Sequence, residues 1–309
     1  MGALIEVVLP VFFVIGFGYL AAYRKWISSS SVDGLMIFSQ KFAIPCLLFL
    51  AISQLDLSMS YDPRLLFSFY AGAVTGFAAG ILGARLLFSR PWEDCIAIGF
   101  CCLFSNSLLL GLPISERAYG EASLAANFTI ISIHSPFCYL LGITAMEMVR
   151  NAGRTRAETA RSVLKAMFSN SLIIGIALGL VFNLSGLPMP GVMTEALELM
   201  RRAALPAALF GLGGVLVRYR PEGDLATAGF VVAVSLILHP AVALGLGNLL
   251  HVPHETLRNA VVTAAMAPGV NAYLFADMYG RARRVAATGL LLGTALCVVT
   301  AWVWLQILG

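Results

Sequence analysis

Ten apolar segments of about twenty residues follow one another with little polar chain between them. Their approximate spans are 3–23, 33–53, 64–88, 94–113, 121–149, 159–183, 193–217, 225–249, 255–280 and 284–308. A helix needs about 20 mostly apolar residues to cross a bilayer. The pattern therefore predicts an all-α polytopic membrane protein of ten transmembrane helices. Period-two alternation in ten-residue units is missing, which argues against a β-barrel. Composition agrees: 59% of the 309 residues are hydrophobic and 12% charged, and mean hydropathy is +0.87. A soluble domain carries roughly 25% charged residues. With half that charge the chain cannot cover a water-facing surface, so an aqueous enzyme, a nucleic-acid binder and a disordered chain are excluded. The longest polar stretch, 150–165, is too short for a soluble output domain, which argues against a sensor. The first segment lacks a basic leader region, and Glu6 spoils the myristoylation pattern, so that segment is expected to be retained.

Lysine and arginine placement orients the chain. The loops after spans 1, 3, 5, 7 and 9, with their flanks, hold fourteen of the twenty. The opposite face holds three: Arg64, Arg117 and Arg258. The odd-numbered loops are thus expected in the cytoplasm and both termini outside.

The halves resemble each other. Span 2 contains Ala43-Ile44-Pro45-Cys46-Leu47-Leu48-Phe49, and span 7 contains Ala204-Leu205-Pro206-Ala207-Ala208-Leu209-Phe210. Span 4 ends in Ala118-Tyr119-Gly120 and span 9 in Met278-Tyr279-Gly280. The offsets, 161 and 160, nearly agree. Residues 1–149 then form one five-helix repeat, 150–158 a cytoplasmic connecting loop, and 159–309 a second repeat. An odd helix count inverts the second copy, which is a secondary-transporter architecture with its site at the midplane between the copies.

Spans 4 and 9 carry helix breakers in mid-course. The first reads Phe104-Ser105-Asn106-Ser107, then Gly111-Leu112-Pro113; the second reads Pro268-Gly269-Val270-Asn271-Ala272-Tyr273. Proline removes a backbone donor and clashes with the preceding turn. Paired interruptions at corresponding places point to a binding site. Each broken helix aims an N-terminus worth roughly half a positive charge at the centre. Two such termini suit an anion such as a carboxylate, with Asn106 and Asn271 as side-chain donors. Ser105, Pro113, Pro268, Gly269 and Tyr273 complete the expected substrate-binding set.

Ionisable residues at depth are functional candidates. Lys41 and Arg202 each stand four residues before a repeat-equivalent proline, about 12 Å from the helix start at 1.5 Å per residue. Each either meets the substrate anion or snorkels to the interface. Arg201 is expected to pair with Glu198 or Glu195. Asp277 either carries a coupling ion or pairs with Arg281 at i+4. His134, near Pro136, and His239, beside Pro240, are packing histidines or a proton relay. The six cysteines lie in apolar runs without metal-ligand spacing, so neither a metal nor a cofactor is expected. No GxSxG or HExxH is present, so the chain is read as a non-enzyme.

The segments Ser105–Ile114 with Ala118-Tyr119-Gly120, Val270–Gly280 and Ile44–Phe49 resemble the signatures of the auxin efflux carrier family. The lack of a long cytoplasmic loop resembles its bacterial members, the malonate and malate permeases. That resemblance implies a fold similar to bile-acid symporters and sodium/proton antiporters. Helices 1, 2, 6 and 7 would form a scaffold, often dimerising, and helices 3–5 and 8–10 a mobile transport domain with helices 4 and 9 crossing. It implies that Lys41 and Arg202 belong to the scaffold and face the crossover. It further implies an elevator-type carrier of a small organic carboxylate (malonate, malate or an auxin-like acid) in the bacterial inner membrane. Proton or sodium would be the coupling ion and a homodimer the assembly. The antiporter relatives carry an acidic pair at the crossing; this chain has none. The alternative is a sodium-coupled symporter of larger amphipathic organic anions.

Overall fold

The computed structural model describes residues 2, 4–150, 161, 171–219 and 224–309. Among these residues every regular element is helical, and the one β-type contact is an isolated bridge. Among the described residues seven helices are long and apolar enough to cross a bilayer: Leu4–Tyr23, Ser29–Ser53, Pro63–Leu86, Ala125–Arg150, Gly191–Leu216, Leu225–Leu249 and Arg283–Leu308. Ser171–Ser185 is apolar but shorter. Two further stretches are each interrupted, Trp92–Leu103 before Leu112–Tyr119, and His254–Ala264 before Val270–Tyr279. The expected start of the sixth span at 159, and the connecting loop beyond Arg150, lie outside the described residues.

Local chemistry sets the helix ends. Helix Ser29–Phe38 opens four residues before the expected 33, because Ser28 Oγ accepts from the Ser31 amide at 3.0 Å. Asp62 caps Pro63–Leu86 by accepting from the Arg64 amide at 2.8 Å, and Pro63 sits where its missing N–H costs nothing. Arg64 in turn donates to Asp62 and holds its carboxyl below the usual carboxylate range.

Proline writes a second pattern. Among the described residues there are four one-turn π-helical segments: Leu4–Val8, Ser39–Ala43, Ser107–Gly111 and Val234–Leu238. Each ends two residues before a proline: Pro10, Pro45, Pro113 and Pro240. In the last three, the residue just before the proline donates five positions back: Ile44 to Ser39, Leu112 to Ser107, and His239 to Val234. A proline ring collides with the carbonyl four positions back. One wider turn moves that carbonyl aside without ending the helix. Pro206 has no such turn and lies inside the continuous helix Gly191–Leu216. Pro45 and Pro206, equivalent in sequence, therefore differ in backbone.

The described residues divide into two compact units, one within Pro10–Ser60 and Lys165–Arg218, the other within Met1–Leu9, Tyr61–Leu164 and Tyr219–Gly309. In the first unit, helices Leu9–Tyr23 and Gly191–Leu216 touch backbone to backbone. A Cβ on Gly18 would run into the Phe210 carbonyl, and one on Gly213 into that of Ile15. Small residues permit that approach where lipid supplies no hydrophobic drive. Asn183 Nδ2 closes the end of Ile44–Ser53 by reaching the carbonyls of Ile52, Ser53 and Leu55 at 2.8–3.1 Å. The second unit contains both interrupted stretches.

Candidate functional site

Helix Trp92–Leu103 stops as Phe104 turns to φ −94°, ψ 89°. Helix His254–Ala264 stops at Ala265, and the chain is extended again at Gly269, φ −75°, ψ 162°. The two gaps meet each other. Asn106 N–H donates to the Ala267 carbonyl at 2.8 Å and Gly269 N–H to the Phe104 carbonyl at 2.9 Å, around an antiparallel bridge between Ser105 and Pro268. Each interruption thus supplies the hydrogen-bond partners the other has lost, which is what unwound backbone away from water requires.

Neighbours complete the seal. His134 Nε2 lies 3.2 Å from the Ser105 carbonyl oxygen. A carbonyl can only accept, so Nε2 carries the proton. Its ring packs against Phe104, 4.7 Å between centroids. Ser105 Oγ and Ser107 Oγ bond to each other at 2.9 Å. Gly269 is small of necessity, since a Cβ there would stand 3.2 Å from the Phe104 ring and 3.6 Å from Asn106 Cα. Behind the second gap, a Cβ on Gly293 would stand 2.9 Å from Pro268 Cδ. Beside the crossing, Asn127 Nδ2 ties Ser115 Oγ (3.0 Å) to Thr263 Oγ1 (2.9 Å), locking one half of each interrupted stretch to helix Ala125–Arg150.

Two amides belong to the crossing segments, Asn106 and Asn271. Asn106 is 5% exposed, and its Nδ2 is buried with no hydrogen-bond partner. An orphaned buried donor costs about 1–3 kcal/mol, so it marks a place where something is expected to bind. Asn271 lies in the first turn of Val270–Tyr279, where Tyr139 Oη donates to its Oδ1 at 3.3 Å. That bond fixes the amide and leaves Nδ2 to donate. Residues 100–107 and 262–274 contain no Asp, Glu, Lys or Arg. With no formal charge in these segments, the local field is that of the backbone: two half-helix starts, which are positive, and the half-helix ends at Leu103 and Ala264, which are negative.

The expected residues do not all gather here. Ser105, Asn106, Pro268 and Gly269 do, with Asn271 a turn away and His134 added as the partner of Ser105. Pro113 does not. The first gap contains neither proline nor glycine, and Pro113 stands about two turns further on, inside Leu112–Tyr119 behind its π turn. Tyr273 tilts its ring against Tyr219, 4.7 Å between centroids. His239 Nε2 bonds the Phe69 carbonyl at 3.3 Å. Lys41 and Arg202 belong to the other unit, are exposed, and have no acidic partner among the described residues. Arg201 pairs with Glu198 at 2.7 Å, one of its two expected partners. The Asp277–Arg281 pairing is overturned. Gly280 takes the left-handed φ of +67° and ends the helix, so Arg281 leaves the i+4 face and meets Glu93, while Asp277 pairs with Arg283 at 3.0 Å. Tyr139 and Gly293 had no local signal in the sequence.

A chain suited to lipid and helical throughout its described elements, with two helices unwound against each other beside a buried, unpartnered amide nitrogen, is built as a membrane transport protein. The family so described, membrane transport protein, matches residues 3–305, and the chain belongs to it, among the auxin efflux carriers and their relatives. A protein of Rhizobium meliloti (strain 1021) named "Putative malonate transporter" is 22% identical over 97% of this chain and 94% of its own length. Auxin efflux carrier component 5 of Arabidopsis thaliana is 22% identical over 94% of this chain and 92% of its own. The lysosomal cholesterol signaling protein of Mus musculus is 23% identical over 97% of this chain, which spans 37% of that protein.

Proposed function

We propose that this membrane transporter carries a small organic carboxylate, malonate being the first candidate, bound at the crossing of the two interrupted helices. One observation carries the reading: the buried, unpartnered Nδ2 of Asn106 beside two positive helix starts. A carboxylate oxygen would accept from Asn106 and Asn271 while the half-helix N-termini balance its charge. The absence of any carboxylate side chain in the crossing segments favours an anion over a cation there. The name of the Rhizobium relative supports malonate, and the plant relatives support organic acids in general.

In this reading the ten spans form two inverted five-helix repeats, both termini lie outside, and the protein works as a homodimer in a bacterial inner membrane. Both interruptions belong to one compact unit, which could therefore move with its anion as a body in an elevator mechanism. Lys41 and Arg202, on the other unit and without acidic partners among the described residues, would attract the anion. Ser105, Pro268 and Gly269 shape the crossing. Pro113 and Tyr273 stand further back. His134, His239 and Asp277 are left as candidates for ion coupling, with proton or sodium as the ion.

Uptake of labelled malonate into proteoliposomes tests the reading. A hydrogen bond to a charged group is worth about 1.5–3 kcal/mol. Asn106→Ala should therefore weaken malonate by roughly ten- to a hundredfold at 1.4 kcal/mol per tenfold. Unchanged uptake in that variant, or none in the wild type, would sink it. Replacing sodium by choline separates the larger-amphipath alternative, which requires sodium.

A further inference from the structure

A cavity of about 380 Å³ opens at one end of the helices, away from the crossing residues in its lining. Val7, Tyr119, Arg258, Leu305 and Gln306 line it, all within one compact unit. The Arg258 guanidinium lies over the Tyr119 ring, 4.1 Å from its centroid. Arg258 Nε and Tyr119 Oη are both buried and both without a hydrogen-bond partner. The nearest acid, Glu255, approaches only to 3.9 Å and its side chain is 83% exposed. The other two cations of this sparse group are engaged: Arg64 with Asp62 at 2.8 Å, and Arg117 with the Glu6 carbonyl at 3.2 Å. Arg258 is thus a half-buried charge held in place by an aromatic face, with a buried, unpartnered Nε.

We propose that this cavity binds the phosphate oxyanion of a hydroxylated lipid headgroup, as in phosphatidylglycerol. The charge requires an anion, and Arg258 Nε and Tyr119 Oη supply two donors to it. The position requires a headgroup, since the cavity lies where apolar helices end, with Val7 and Leu305 offering an apolar wall to an acyl chain. The hydroxyls have acceptors as well. Helix Leu112–Tyr119 ends here, and the last carbonyls of a helix lack intrahelical donors. This site shares no residue with the proposed carboxylate site and stands without it.

Native mass spectrometry of the full chain, released from nanodiscs of mixed phosphatidylglycerol and phosphatidylcholine, tests the assignment. The wild type should retain one phosphatidylglycerol per chain that Arg258→Gln loses, and Tyr119→Phe should retain severalfold less. Inorganic phosphate tests the source in a thermal-shift assay. Arg258-dependent stabilisation by phosphate without lipid preference would keep the oxyanion site and assign it to a soluble ligand. Wild-type retention in both variants, with no phosphate effect that depends on Arg258, would overturn the proposal. If Arg258→Gln does not fold, Tyr119→Phe decides, because it removes one oxygen: unchanged retention there rejects the site. Asn106→Ala should lose malonate uptake yet keep its lipid, so the two sites fail separately.

Discussion

The two interruptions reach the same extended backbone by different means. At Phe104–Asn106 there is no proline and no glycine, and the strand is held by polar contacts: the His134 imidazole on Ser105 and the pairing of two serines. At Ala265–Gly269 the break is covalent and steric, with Pro268 removing a donor and Gly269 and Gly293 leaving room for close neighbours. One gap is built from hydrogen bonds and the other from shape. The polar gap, where Asn106 keeps an orphaned donor, is the one suited to respond to a ligand, and the steric gap gives it a fixed surface to pair with.

That contrast can be broken by substitution. The largest effect should come from Asn106→Ala, with the ten- to hundredfold loss of malonate binding given above, read by uptake. Gly293→Ala should strike the steric gap, since its Cβ would press on Pro268. Overpacking of this kind costs about 1–3 kcal/mol, seen as a lower melting temperature in detergent. Gly293→Ala melting like wild type would show that the second gap yields. His134→Ala should strike the polar gap by a similar amount: the Ser105 carbonyl keeps the Ser107 amide at 2.8 Å but loses the imidazole, a bond worth about 0.5–1.5 kcal/mol, and the missing buried ring leaves a cavity against Phe104. A smaller change is expected from Tyr139→Phe, which frees the Asn271 amide to rotate. Losing a bond worth about 0.5–1.5 kcal/mol should reduce uptake about two- to tenfold with little change in melting. The smallest effect should come from Asp62→Ala, outside both gaps. Loss of this helix cap costs about 1 kcal/mol, seen in melting and not in uptake. The Asp62 carboxyl titrates below its unfolded value because of Arg64. Its contribution is therefore complete above about pH 4 and lost as pH falls further, so wild type and variant should converge in acid.

The sequence made the second gap readable and misplaced part of the first. Pro268, Gly269 and Asn271 announce themselves, because the breakers sit in the break. In the first half the obvious breaker, Pro113, is absorbed by a π turn, while the true gap at Phe104–Asn106 is defined by its partner strand some 160 residues away. Pairing at that range leaves no local trace except Asn106 itself. Tyr139 escaped notice for the same reason, its role being set by the placement of Asn271. The Asp277–Arg281 pairing failed because i+4 geometry holds only while a helix continues, and Gly280 ends it.

The π turns have a consequence for phase. An α-helix advances about 100° per residue, since 3.6 residues complete a turn. A turn that accommodates one residue more rotates everything after it by that angle relative to an uninterrupted helix. The apolar stripe before such a turn and the stripe after it therefore follow two clocks set about 100° apart. Removing one residue from Val234–Leu238 would keep every later side chain in the sequence yet swing His239 about a quarter-turn away from the Phe69 carbonyl it now meets. At these positions a single-residue deletion acts as a rotation of half a helix.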